Sequence, residues 1–288
     1  MLIAFCGCGS STPGARTEVT AAEVAGDDGA EAAATDEDHP VTATLVADIS
    51  RLSPGKPFAL AVRFQVAPGW HIYWENPGDS GLETEIAVHA PAGFASGEVR
   101  YPGPTRFAAA GDIVSFGYAG EVMLSATVTP PAAISGEVAL FADASWVACR
   151  DDVCLRGTAT ARLTLPVATV DHPAEPAHHE LWARHRQRLP VPFSELAGAS
   201  ARIGAAGGRA TLTIAVDGAR KLAFFPARTT PLADRTVLET DSGPLSVTLE
   251  AAAPATARGV VEVDTGEGAL FYQLDVPIPA DRSDPAGP

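Results

Sequence analysis

The chain has 288 residues, is 46% hydrophobic and carries a formal net charge of −15. This length suggests about two domains of roughly 150 residues each, with enough apolar residues for real cores. The negative charge argues against nucleic-acid binding, which needs basic patches that contact phosphates. No apolar run approaches the roughly 18 residues of a membrane span.

The first residues, MLIAFCGCGSS, resemble the end of a lipoprotein signal peptide, in which a cysteine becomes lipidated. Cys8 follows the small Gly7 and fits this role better than Cys6, which follows the bulky Phe5. We therefore expect residues 1–8 to be the remnant of such a signal, with Cys8 as the lipid attachment site. The alternative is a stray apolar start with incidental cysteines. Export would place the chain in an oxidising compartment, where disulfides persist.

Residues 9–40 consist mainly of small and acidic residues, with almost no large apolar side chain. Such a segment cannot bury enough apolar surface to offset the entropy lost on ordering. We expect it to be a disordered acidic tether.

From residue 41 to residue 170 the sequence predicts short strands separated by turns. FALAVRFQV at 58–66 has large apolar residues at every second position, which is typical of a half-buried strand. WHIYWE at 70–75 places two tryptophans and an isoleucine on one face, and His71, Tyr73 and Glu75 on the other. We interpret those three as solvent-side residues; the alternative, which the sequence supports less, is a polar site on that strand face. Turn signals every 8–12 residues predict an antiparallel β-sandwich.

Residues 171–192 interrupt this pattern and predict a linker with a short helix. Its apolar and aromatic positions, near helical spacing and bracketed by prolines, are Leu181, Trp182, His185 and Leu189. Strand patterns resume over residues 193–280 and predict a second β-sandwich, followed by a tail at 281–288. The predicted class is therefore all-β, with two antiparallel sandwiches.

Two cysteines in WVACRDDVCLRG, at 146–157, are the candidate reactive residues. Cys149 ends one predicted strand and Cys154 begins the next, so they flank a hairpin loop and face each other at disulfide distance. Closing so small a loop stabilises a fold by only about 2 kcal/mol, which weakens a purely structural role. Asp151 and Asp152 disfavour a neighbouring thiolate, whereas Arg150 favours it. Redox exchange and a structural disulfide are equally supported, and a metal site is supported least.

Longer motifs resemble the periplasmic N-terminal module of the DsbD/ScsB family of thiol:disulfide interchange proteins. They are PGWHIYWENPGDSGLETEI at 68–86, FGYAGEV at 116–122, WVACRDDVCLRG at 146–157 and FFP at 224–226. The resemblance implies immunoglobulin-like sandwiches and makes Cys149 and Cys154 the exchanging pair. It also implies a cap loop over the sulfurs, in the region GDIVSFGYAG that contains Phe116 and Tyr118.

The same resemblance implies an activity of the protein-disulfide reductase type, with neither an organic cofactor nor a metal. The implied partners are a membrane electron-transfer protein and periplasmic thiol or disulfide proteins. The sequence has no CxxC motif and no apolar span, so we expect another protein to supply or accept electrons. Contact with the membrane would come only through a lipid at Cys8. The alternatives are a binding or assembly module with a structural hairpin disulfide, and copper-stress protection by thiolate binding of Cu(I).

Overall fold

The computed structural model describes residues 31–32, 39–108, 111, 113–206, 209–233, 238–250 and 255–278. The expected signal remnant, nearly all of the expected tether and the expected tail lie outside these residues. Strand makes up 59% of the structure and helix 6%, with the strands in several antiparallel sheets, so the predicted all-β, immunoglobulin-like class is confirmed. The described helices include none that is long and apolar enough to cross a membrane.

Among the described residues, eleven strands precede the helix. They are β1 (Glu31–Ala32), β2 (Val41–Ala47), β3 (Phe58–Val66), β4 (His71–Gly78), β5 (Glu85–His89), β6 (Ala95–Ser96), β7 (Thr105–Ala108), β8 (Val114–Tyr118), β9 (Glu121–Thr129), β10 (Glu137–Arg150) and β11 (Val153–Pro166). One sheet has the order β1-β11-β10-β4-β8-β7, with β5 also paired to β10, and the other has the order β2-β3-β9-β6. The two sheets pack face to face, because alternate residues of β3 and β10 are apolar and buried in one shared core.

The linker contains helix α1 (His179–Arg188), as the sequence predicted. The helix ends before Pro190, which lacks the N–H group that a further helical turn would need. Trp182 is buried against Val46, Ala61 and Met123, which project from the outer face of the β2-β3-β9-β6 sheet. The helix therefore covers the side of this sheet that does not face the core.

In the part of the chain that the structure describes after the helix, there are eight strands and one 3₁₀ turn. They are β12 (Val191–Pro192), the 3₁₀ turn Phe193–Glu195, β13 (Ala199–Ala206), β14 (Arg209–Val216), β15 (Lys221–Pro226), β16 (Glu239–Thr240), β17 (Leu245–Glu250), β18 (Ala255–Asp264) and β19 (Ala269–Ile278). They form a five-stranded sheet of order β12-β19-β18-β15-β16 and a three-stranded sheet of order β13-β14-β17. A second apolar core lies between these two sheets.

The two sandwiches share apolar packing. Phe225 of β15 belongs to the core of the first sandwich, where its ring meets Trp74 edge to face at 6.4 Å and Phe116 at 5.3 Å between centroids. Beside it, the Asn76 amide donates a hydrogen bond of 2.7 Å to the carbonyl of Pro226. The FFP segment at 224–226 therefore joins the second sandwich to the strand that carries WHIYWE.

Candidate functional site

Strands β10 and β11 form a long hairpin that carries both candidate cysteines at its tip. Each strand has 14 residues, and the antiparallel register runs from the pair Glu137 and Pro166 to the pair Arg150 and Val153. Only Asp151 and Asp152 lie in the turn, two residues fewer than the loop expected from the sequence. Asp151 has a φ of 51°, a left-handed conformation that aspartate tolerates better than most residues and that such tight turns require.

Cys149 and Cys154 are direct partners in this register and are joined by a disulfide. Their Cα atoms are 4.2 Å apart, close to the spacing of a non-hydrogen-bonded antiparallel pair. The ladder itself therefore brings the two sulfurs together, without a rearrangement of the backbone.

The two cysteines differ in their exposure to solvent. Cys149 is buried, with only 3% of its surface exposed, whereas Cys154 is exposed. The neighbours of Cys154 are apolar and also reach solvent, since Val153 is 51% and Leu155 is 39% exposed. The hairpin tip therefore exposes Cys154 on one face and the side chains of Val153 and Leu155 on the opposite face, and it shields Cys149.

The buried end lies against strand β4. Cys149 packs with Val147 and Tyr73 in a small apolar cluster, and its backbone partner in β4 is His71. The His71 ring is stacked on Phe107 of β7 at 4.5 Å between centroids, with an interplanar angle of 15°. Strand β8 pairs with β4 in the same sheet, and the Phe107 ring of β7 covers part of the face of β4 next to the disulfide.

Because of this packing, the face of β4 that we predicted to be solvent-exposed is largely buried next to the disulfide. Tyr73 is buried and His71 is half-buried. Burial lowers the pKa of His71, because the charged imidazolium is poorly solvated there. Burial also raises the pKa of Tyr73, although its hydrogen bond with Ser80 acts in the opposite direction. Both side chains are therefore held in their uncharged forms near neutral pH.

Arg150 is the cation next to the pair in sequence. Its guanidinium lies over the ring of Trp70, 4.9 Å from the ring centroid, in a cation–π contact. This contact ties the end of β10 to the start of β4.

Phe116 and Tyr118, the aromatic residues expected in the cap region, lie in β8 and are buried in the core. Phe116 packs on Phe225, and the Tyr118 hydroxyl donates a hydrogen bond of 2.8 Å to the carbonyl of Pro102. Tyr118 is paired with Ile72 of β4, and Cys149 is paired with His71 of the same strand. Ile72 and His71 are adjacent in β4, so their side chains, and those of their partners, point to opposite faces of the sheet. The side chains of Phe116 and Tyr118 therefore point away from the disulfide face. Cys8 lies outside the described residues.

Sequence reasoning did not single out His71, Tyr73 and Phe107 as neighbours of the cysteine pair. The alternation in WHIYWE already placed His71 and Tyr73 on one face. The register that sets His71 opposite Cys149 joins residues 78 positions apart, and no local pattern encodes it.

Comparisons with known proteins agree with this arrangement. The family model described as thiol:disulfide interchange protein DsbD, N-terminal, matches residues 39–166. Among solved structures, the chain is similar to the N-terminal periplasmic domain of ScsB from Proteus mirabilis, with 18% sequence identity and a TM-score of 0.57. The match covers 85% of this chain and 96% of that one, so the shared fold includes strands of both sandwiches. No curated protein matches the chain. The two face-to-face sheets and the cysteine hairpin of residues 39–166 thus form a DsbD N-terminal-like module.

Proposed function

We propose that this protein is a periplasmic thiol–disulfide interchange module that exchanges electrons with partner proteins through Cys149 and Cys154. The supporting observation is the unequal exposure of the two cysteines in a disulfide at the tip of a hairpin. The match of residues 39–166 to the DsbD N-terminal family adds to it.

The unequal exposure indicates which sulfur reacts with a partner. A partner thiolate reaches the exposed Cys154, attacks its sulfur and forms a mixed disulfide, while the sulfur of Cys149 leaves into its buried pocket. A second partner thiol then attacks the mixed disulfide and leaves both module cysteines reduced. The reverse sequence passes two electrons from the reduced pair to a substrate disulfide.

A purely structural role explains the disulfide less well. The hairpin is already fixed by a ladder of 14 residue pairs, and the disulfide closes a loop of only six residues. In the chain-entropy model such a loop contributes about 2 kcal/mol, against about 4.7 kcal/mol for a loop of a hundred residues.

We also propose that the module is anchored to a membrane and works with proteins on both sides of the electron transfer. A lipid at Cys8, followed by the acidic residues 9–40, would keep the module close to a membrane electron-transfer protein and leave it free to reach periplasmic thiol or disulfide proteins. The hairpin β7–β8 would act as the cap, with Phe107 as its aromatic residue on the disulfide face.

The reduction potential of the Cys149–Cys154 bond tests the proposal. We expect a value within the range of exchange proteins, roughly −180 to −270 mV. A value well below about −300 mV would contradict it and would support a structural disulfide.

A pair of single-cysteine variants tests which sulfur is attacked. Cys149→Ser leaves the exposed thiol, which should form mixed disulfides with a small aromatic disulfide reagent at least about tenfold faster than the buried thiol left by Cys154→Ser. Equal rates for the two variants would contradict the assignment of Cys154 as the attacked residue.

A second candidate function is a binding or assembly module whose hairpin disulfide stiffens a recognition loop. The exposed Val153 and Leu155 favour it, because apolar side chains at a loop tip suit a protein interface. It predicts that partner binding persists when both cysteines are replaced by serine, whereas interchange would be lost.

A further inference from the structure

His71 lies beside the buried cysteine and has no role in the exchange steps described above. It is the register partner of Cys149 in the β10–β4 ladder, and paired residues on antiparallel strands project to the same face with Cβ atoms about 5 Å apart. Tyr73, two residues along β4, packs directly on Cys149. The register therefore places the imidazole next to the side chain of Cys149, on the same face of the sheet.

The imidazole of His71 is held in place and retains an unused polar atom. Stacking on Phe107 and an edge-to-face contact with Tyr73, at 5.1 Å between centroids, orient the ring. Its Nε2 atom is buried and has no hydrogen-bond partner among the described residues. Leaving a buried polar atom unpaired costs about 1–3 kcal/mol, so such an atom next to a reactive pair requires an explanation.

The groups around His71 carry little charge. Tyr73 is its titratable neighbour on the same face of β4, and Cys149 is its register partner on the facing hairpin. Three charged residues also lie at the tip of that hairpin: Arg150 lies over the Trp70 ring, and Asp151 and Asp152 are exposed in the turn. Glu75, further along β4, interacts instead with Glu83 and Arg228. Burial is the cause of the lowered His71 pKa, so the free imidazole is the form present before exchange.

We propose that His71 accepts the proton of the Cys149 thiol when the reduced module is oxidised by a partner's disulfide. This inference rests on the proposed function. The Cys154 thiolate first attacks the partner disulfide, which forms the Cys154–partner bond and releases one partner sulfur. The Cys149 thiol then transfers its proton to the His71 imidazole, and the resulting thiolate attacks the sulfur of Cys154. The Cys149–Cys154 bond forms, the Cys154–partner bond breaks, and the electron pair leaves on the second partner sulfur.

The proton balance of this step closes. The two module thiols give up two electrons and two protons, and the partner disulfide becomes a dithiol. The imidazolium of His71 returns its proton to the leaving partner sulfur or to water, which restores the neutral ring. A buried thiol needs such an acceptor, because an apolar pocket raises the pKa of a thiol and keeps it from becoming the attacking thiolate.

The experiment uses the full chain, reduced with a small dithiol, and needs no physiological partner. The first measurement is the pH titration of the His71 ring by NMR in the oxidised and the reduced protein. A thiol that shares its proton with His71 should move the titration midpoint of the ring by about one pH unit on reduction, a tenfold change in proton affinity.

The second measurement is the ultraviolet thiolate absorbance of Cys149 against pH in a background in which Cys6, Cys8 and Cys154 are replaced by serine, so that Cys149 is the remaining thiol. His71→Phe retains the aromatic stack and removes both ring nitrogens, and should lower the Cys149 thiolate fraction at about pH 7 roughly tenfold. His89→Phe is the matched control, since His89 is also stacked on a phenylalanine, Phe141, at 4.6 Å and 17°. It should leave the thiolate fraction within about twofold of the parent.

An unchanged His71 titration on reduction, together with identical thiolate curves for the two variants, would overturn the inference. The NMR comparison needs no variant and decides the matter if His71→Phe fails to fold. If the His71 titration shifts on reduction but the reduction potential of the disulfide lies well below the range of exchange proteins, the proposed function is contradicted and the proton transfer to His71 is not. The two failures are therefore distinguishable.

Discussion

His185, in helix α1, should make the stability of this protein depend on pH. Its ring is buried, with 5% exposure, and its Nε2 atom lies 2.8 Å from the hydroxyl oxygen of the buried Ser125. Burial, with smaller contributions from Arg100, Arg186 and Arg188, lowers the pKa of His185 to about 4. In the unfolded chain the ring has its ordinary pKa of about 6.5, so the unfolded chain binds the proton more tightly.

The sign and the magnitude follow from these two pKa values. The contribution of His185 to folding is complete above about pH 6.5, falls as the pH drops towards about 4, and is constant below that. At about 1.4 kcal/mol per pKa unit, the free energy of unfolding should fall by about 3 kcal/mol across this window. The comparison is with His185→Gln, which can keep a hydrogen bond to Ser125 and does not titrate.

Urea unfolding at several pH values between about 7 and about 4 measures this effect. The informative quantity is the difference in unfolding free energy between the parent and His185→Gln at each pH. Half-buried carboxyl groups with raised pKa values, such as Glu75 and Glu262, affect both proteins equally and cancel. A difference that stays constant over the whole range would refute the reasoning.

Two further predictions concern the packing around the site. Phe225→Ala removes the ring shared by the two sandwiches and should lower the unfolding free energy by about 3–5 kcal/mol, as measured by urea unfolding. The control is Phe141→Ala, which should lower the unfolding free energy by less because Phe141 is partly exposed. Gly117→Ala should lower the unfolding free energy by about 1–3 kcal/mol in the same assay, because a Cβ atom at position 117 would collide with the carbonyl oxygen of Ile72. The control is Gly204→Ala, which should be tolerated because the exposed Gly204 has open space where the Cβ atom would lie. Equal effects for a variant and its control would contradict the corresponding assignment.

The strands and the pairing of the two cysteines could be predicted from the sequence because their signals are local. The alternation over residues 58–66 gave a half-buried strand, and the short spacing between the cysteines gave a hairpin with facing side chains. The helix signals around Trp182 and the proline at position 190 gave the linker helix. Each of these depends on residues within about one element of each other.

The surroundings of the pair could not be predicted, because they depend on contacts between distant segments. The sequence predicted His71 and Tyr73 to be solvent-side residues, but Phe107, over 30 positions later in the chain, stacks on His71. The buried state of Cys149 likewise depends on Tyr73 of another strand. The resemblance to the DsbD/ScsB family suggested Phe116 and Tyr118 for the cap, whereas the strand register turns both side chains towards the core.

The 4.2 Å between the Cα atoms of Cys149 and Cys154 is imposed by the hairpin ladder as well as by the sulfur bond. After reduction the ladder would still hold the two thiols side by side, which corresponds to a high effective molarity of one thiol towards the other. Any mixed disulfide at Cys154 would then be short-lived in the wild-type protein, because its intramolecular resolution would outrun dissociation by outside thiols. Stable covalent complexes with partners should therefore accumulate only when Cys149 is replaced.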